Sequence, residues 1–98
     1  MTYRLSKQAE SDLIQIYLTG VEQFGVAQAE TYQDKIDEMI ALIGDNPEIA
    51  RIREEISPPV RIHPVKSHVI IYLVDDHRMV RILRVRHGRE NWPVNPIA

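Results

Sequence analysis

The sequence predicts an α+β fold, a helical hairpin packed on one face of a small antiparallel sheet. Two long amphipathic segments, parted by a single glycine, fill residues 7–44, and alternating β-branched segments fill residues 60–87. A short alternating stretch, Tyr3-Arg4-Leu5, comes before them and reads as a first strand. The expected order is thus β-α-α-β-β-β. With 98 residues the chain fits one domain, divided into a strand (1–6), a helical hairpin (7–44), antiparallel strands (60–87) and a tail (88–98).

Ser6 is a good N-cap, since its hydroxyl can accept from a first-turn amide. The first helix then runs over Lys7–Phe24. Ala9, Leu13, Ile16, Tyr17 and Phe24 form one apolar face, and Ile14, Leu18 and Val21 widen it. The combined arc covers roughly 200°, more than one core contact requires. Its second flank needs cover, from another element of the chain or from a partner. Gly25 ends this helix, and a second runs from Val26 to Ile43 with Ala29, Tyr32, Ile36, Met39, Ile40 and Ile43 on one narrow face. Glu30, Asp34, Asp37 and Glu38 lie opposite, as a solvated face would have them. Gly44 suits a C-terminal cap and Pro47 blocks continuation.

Asp45, Asn46, Pro47 and Pro58-Pro59 mark residues 45–59 as a connecting loop. Val60–His63 alternates and reads as a strand ended by Pro64. Lys66-Ser67 is a turn. His68–Val74 is a nearly continuous apolar run, as in a central strand covered on both faces. Asp75–Arg78 is a hairpin loop and Met79–His87 the last strand, followed by an irregular tail with Pro93 and Pro96. Strict alternation along the last strand turns Met79, Arg81, Leu83, Val85 and His87 toward the helices. It turns Val80, Ile82, Arg84 and Arg86 away. Joined by Arg61, His63 and Arg89, with His87 at the strand end, the far face is the expected basic surface, fit to hold phosphate or carboxylate groups.

The charge is divided the same way. The net charge is −2, but residues 1–50 hold three basic and nine acidic side chains, whereas residues 51–98 hold nine basic and five acidic ones. The halves carry −6 and +4, which suggests an acidic and a basic surface on one domain. With no cysteine there is no disulfide framework, thiolate metal site or cysteine nucleophile. The four histidines lack metal-ligand spacing, and no glycine-rich phosphate loop or Gly-x-Ser-x-Gly elbow is present. No metal and no cofactor are expected. No apolar run approaches the ~20 residues of a membrane span, so a cytoplasmic protein without membrane contact is expected. One chemistry survives: RNA cleavage with His87 or His63 moving protons and Arg61, Arg84, Arg86 and Arg89 stabilising charge.

The order and spacing of several short motifs resemble those of one family. Tyr3-Arg4-Leu5-Ser6, Ala9, Asp12-Leu13, Ile16 and Tyr17 resemble the start of ParE-type toxins. So do Phe24-Gly25, Ala29, Tyr32, Pro47, His68-Val69-Ile70-Ile71-Tyr72 and Ile82-Leu83-Arg84-Val85-Arg86-His87-Gly88-Arg89. The chain is thus identified as a member of the RelE/ParE superfamily of type II toxin–antitoxin modules. That resemblance implies a helical hairpin on a small antiparallel sheet, in agreement with the order derived above.

The superfamily holds ribosome-dependent messenger RNA nucleases of the RelE type and DNA gyrase poisons of the ParE type. The nuclease set includes an arginine in the central strand and a tyrosine in the tail. Here His68–Ile71 holds no arginine and Asn91–Asn95 no tyrosine, so the resemblance favours the gyrase branch over an enzyme. The gyrase-contacting end is expected on the last strand and tail, at Arg84, Arg86, His87, Arg89 and Trp92. The resemblance also implies a ParD-like antitoxin with a DNA-binding N-terminal half, so that operator DNA is reached only through the antitoxin. The apolar track for that partner is expected on Ile14, Leu18 and Val21, with Val80 and Ile82.

Overall fold

The structure, a computed structural model, describes residues 3–90. Its elements are β1 (Tyr3–Leu5), α1 (Lys7–Phe24), α2 (Val26–Asp45), β2 (Ile52–Arg53), β3 (Val60–Val65), β4 (His68–Val74) and β5 (Val80–His87). The strands form one sheet in the order β1-β5-β4-β3-β2. β1 runs parallel to β5 and the other pairings are antiparallel. The helical hairpin makes the crossover from β1 and covers one face of the sheet.

Ser6 starts α1 as expected. Its Oγ accepts the Ala9 N–H at 2.9 Å and donates to the Leu83 carbonyl at 2.7 Å. Its backbone N–H donates to the Ile82 carbonyl at 2.9 Å. One serine therefore caps the helix and fastens it to the last strand. Between the helices Gly25 has φ 90°, a conformation that disfavours any side chain. At Gly20 the two helices come close, because a Cβ there would lie 3.3 Å from the Ala29 Cβ.

Two elements depart from expectation. β2, within the expected loop, pairs Ile52 with Arg61 and Arg53 with Val60. Two residues are too few to show alternation. β3 continues through Pro64 to Val65. The proline is tolerated because β2 pairs only with the first two residues of β3, so no outer neighbour needs its missing amide.

The faces of β5 are the main correction. Tyr72 pairs with Ile82 but Ile71 pairs with Arg84, so Leu83 is an extra residue in a bulge. Val80 and Ile82 point to the helices, the phase slips at Leu83, and Val85 points to the helices again. All three lie in the main core with Ala9, Leu13, Ile36, Ile40, Ile43, Ile70 and Tyr72. Leu83 instead joins a second cluster on the far face with Ile56, Val60, Ile62, Val69 and Ile71. β4 is thus covered on both faces, by the helices on one and by the segment carrying Ile56 on the other. Phe24, expected in the core, is 62% exposed.

Candidate functional site

The free edge of β5 beyond Ile82 has no strand neighbour, and two carboxylates occupy it. Asp12 of α1 takes the Arg84 guanidinium in a fork, Nε to Oδ2 at 2.7 Å and a terminal nitrogen to Oδ1 at 2.9 Å. The same carboxylate accepts the Val85 N–H at 3.0 Å. One turn on, Glu90 accepts the His87 N–H at 2.8 Å and the Arg86 Nε–H at 3.1 Å. Each carboxylate therefore holds one edge amide and one arginine of β5. Hydrogen bonding to Asp12 raises the Arg84 pKa above its ordinary value. The His87 N–H, then Arg86, hold Glu90 below the usual carboxylate range.

Beside this edge lies a cluster of three rings. The Tyr32 hydroxyl accepts the Ser67 N–H at 3.1 Å and lies 2.6 Å from His68 Nδ1. When the phenol donates to Nδ1, the proton of a neutral His68 lies on Nε2. Burial and the neighbouring His87 push the His68 pKa below its ordinary value, against a smaller opposite pull from Glu90. The His68 and His87 rings meet edge to face with centroids 5.1 Å apart. His87 Nδ1 accepts the Arg89 N–H at 3.1 Å, which fixes the tail's first turn. These rings line a cleft of about 440 Å3 against the C-terminal half of α1 and the start of α2.

The expected basic face is divided between the two sides of the sheet. Arg61 pairs with Tyr72, and His63 with Ile70, both of the helix-side core, so Arg61 and His63 lie on that side. His87 pairs with His68 and keeps to the helix side, whereas Arg86 pairs with Val69 of the far cluster. Arg61 donates to the Ala50 carbonyl, and His63 Nδ1 lies 2.8 Å from the Pro64 carbonyl. Arg84, Arg86, His87 and Arg89 do gather at one end of β5, and Trp92 lies outside the described residues. Of the expected antitoxin track, Ile14 and Leu18 are 62% and 54% exposed and Val21 is half-buried. Val80 and Ile82 are fully buried in the chain's own core. They offer no surface, because the bulge and the helices place them inside.

The chain matches the model of the ParE toxin of the type II toxin–antitoxin system parDE over residues 3–92. It belongs to the ParE toxin family. The match covers nearly the whole chain, so the family assignment extends to the helices and sheet alike. A relative named Toxin ParE1 from Mycobacterium tuberculosis is 33% identical over 87 residues, 89% of each chain. Toxin ParE1 of Caulobacter vibrioides is 33% identical over 89 residues, 91% of each chain. The fold resembles that in a structure of a chromosomal ParDE system from P. aeruginosa, with TM-score 0.77 and 21% identity over 89% of this chain and 95% of that one. The chain is a ParE-type toxin of a type II toxin–antitoxin system.

Asp12, Tyr32 and His68 carry structural duties that patterning did not assign. Asp12 sits beside the core residue Leu13 on α1, where a carboxylate on the edge of an apolar face is a signal for a buried partner. Tyr32 reads as an apolar helix residue, and its hydroxyl gives no hint of a histidine 36 positions away.

Proposed function

We propose that this ParE-type toxin acts on DNA gyrase and is neutralised by a cognate antitoxin. The observation that carries the target reading is the pairing of the β5 arginines. Arg84 and Arg86 each hold a carboxylate, whereas a nuclease needs a cation directed at the charge that develops on phosphate. An end of this kind suits protein contact. Arg84, Arg86, His87, Arg89 and Trp92 make up the target-contacting end, with the Arg84 and Arg86 guanidiniums held by Asp12 and Glu90. The antitoxin lies along α1 on Ile14, Leu18 and Val21, where exposed apolar residues recur one turn apart as in helix-groove recognition. Its N-terminal half binds the operator, and the toxin acts in the cytoplasm.

The test is expression of the toxin without its antitoxin. Gyrase supercoiling with DNA cleavage is assayed alongside mapping of messenger RNA breaks on ribosomes. Stalled gyrase cleavage complexes with intact messenger RNA are expected. Cuts at codon boundaries with unaffected gyrase overturn the reading in favour of the ribonuclease alternative, with His87 as its proton-transfer group.

A further inference from the structure

The cleft beside the ring cluster shares His87 with the target surface proposed above, and Arg89 of that surface stands beside it. Its volume of about 440 Å3 falls within the ~300–1,000 Å3 of small-ligand sites. Among the described residues, Phe24, Tyr32, His68 and His87 line it with their rings, and Gln15, Gln23 and Gln28 line it from the helices. Among the described residues, none that lines it is Asp, Glu, Lys or Arg. Phe24 is an aromatic on the helix's apolar face, yet it is 62% exposed. Charge appears only alongside. Lys66 precedes the lining Ser67, and Arg89 follows the lining His87 by two residues. The Gly88 N–H ties these two segments together through the Ser67 carbonyl at 2.8 Å. Both cations are exposed and make no ion pair among the described residues.

A ligand for this site needs a flat uncharged ring, donors and acceptors along its edge, and an anionic group outside the cleft. We propose that the cleft binds an unpaired nucleobase of a single-stranded nucleic acid, with the adjoining phosphates on Lys66 and Arg89. Aromatic faces stack on bases of any sequence, and amide side chains meet base edges. The neutral state of His68 favours a neutral ring over a phosphate inside the cleft. Aromatic-lined grooves also take proline-rich peptides, but such a peptide makes no use of the two exposed cations beside the cleft. A base-paired strand keeps its bases stacked away from such a site.

The test is fluorescence anisotropy with the full chain and a labelled single strand of DNA, about 12 nucleotides long. The same strand built of abasic units and the matching duplex are the controls. The intact strand is expected to bind at least about 5-fold more tightly than either control, since a stacked base contributes ~1–3 kcal/mol. Phe24→Ala is expected to weaken binding about 5-fold or more with an unchanged circular dichroism spectrum, because Phe24 is not part of the core. Lys66→Gln with Arg89→Gln is expected to reduce the log–log salt slope by about 1.4. Equal affinity for the abasic strand, no binding of the intact strand, or an unchanged Phe24→Ala affinity overturns the proposal. So does preferential binding of an uncharged peptide that Phe24→Ala abolishes. Gyrase is absent from this assay, so failure here leaves the gyrase reading standing.

Discussion

The Asp12 carboxylate stands where a strand neighbour of Val85 would be, accepting its N–H at 3.0 Å. β1 pairs with β5 only as far as Ile82, and α1 then takes over the edge. An unpaired edge amide at Val85 would be a template for association with another chain. Asp12 satisfies it and neutralises Arg84 with the same group. Both side chains are largely shielded, at 15% and 17% exposure, so the pair is worth more than a surface ion pair. Asp12→Ala is expected to cost about 2–3 kcal/mol in urea denaturation. Asp12→Asn, which keeps an acceptor, should cost about half as much. A loss within the ~0.5 kcal/mol of ordinary surface changes would remove the edge role.

The helices were legible because each obeys one period over many turns: α1 matches its expected span from Ser6 to Phe24, and α2 ends two residues beyond Ile43. The faces of β5 were not, for a physical reason. A single bulge residue, Leu83, inverts the phase of a strand, and alternation carries no mark of where the inversion falls. The basic face failed with it, since register sets Arg61, His63 and His87 on one side and Arg86 on the other. The carboxylates that hold β5 come from a helix turn and a tail turn. Such long-range pairs leave no local spacing to read.

Burial separates two apolar groups on which the antitoxin reading depends. Leu18 is 54% exposed and Ile82 fully buried. Leu18→Glu should leave stability within ~0.5 kcal/mol of the parent and abolish antitoxin capture in a pull-down. Ile82→Ala should cost about 2–5 kcal/mol by opening a cavity, with antitoxin affinity preserved in the folded fraction. An unchanged antitoxin affinity of Leu18→Glu would move the antitoxin off α1.

Gly20 sets the approach of the two helices. A Cβ at this position meets the Ala29 Cβ at 3.3 Å, with backbone Cα at 3.6 Å behind it. Gly20→Ala gains roughly 1 kcal/mol of helix propensity against a contact that needs only a few tenths of an ångström of relief. It should be near neutral. Gly20→Val adds two methyl groups and should cost about 1–3 kcal/mol through overpacking. Thermal unfolding of the two variants, side by side, separates propensity from contact. A stabilised Gly20→Val would show that the hairpin is not closely packed there.

His68 gives the fold a dependence on pH with a defined sign. Burial and His87 lower its folded pKa below the ordinary 6.5. As the pH falls through about 6.5, the unfolded chain takes up a proton at this position before the folded chain does. Stability from His68 therefore declines as pH drops from about 6.5 to the lowered folded value, and is constant above that window. The depressed carboxylates behave differently. Glu90, Asp75 and Glu55, the last held at about 2 by Arg53, contribute stability above their unfolded values near 4.5, 3.8 and 4.5 and lose it only at lower pH. The interval between pH 5 and 7 thus separates His68 from these carboxylates, and the His68→Gln variant separates it from the other histidines. His68→Gln retains an acceptor for the Tyr32 hydroxyl but cannot titrate, so its stability should change less between pH 7 and 5 than that of the parent. The ring resonances of His68 should titrate with a midpoint below 6.5 in NMR. A midpoint at or above that value would mean that burial and His87 do not govern this ring.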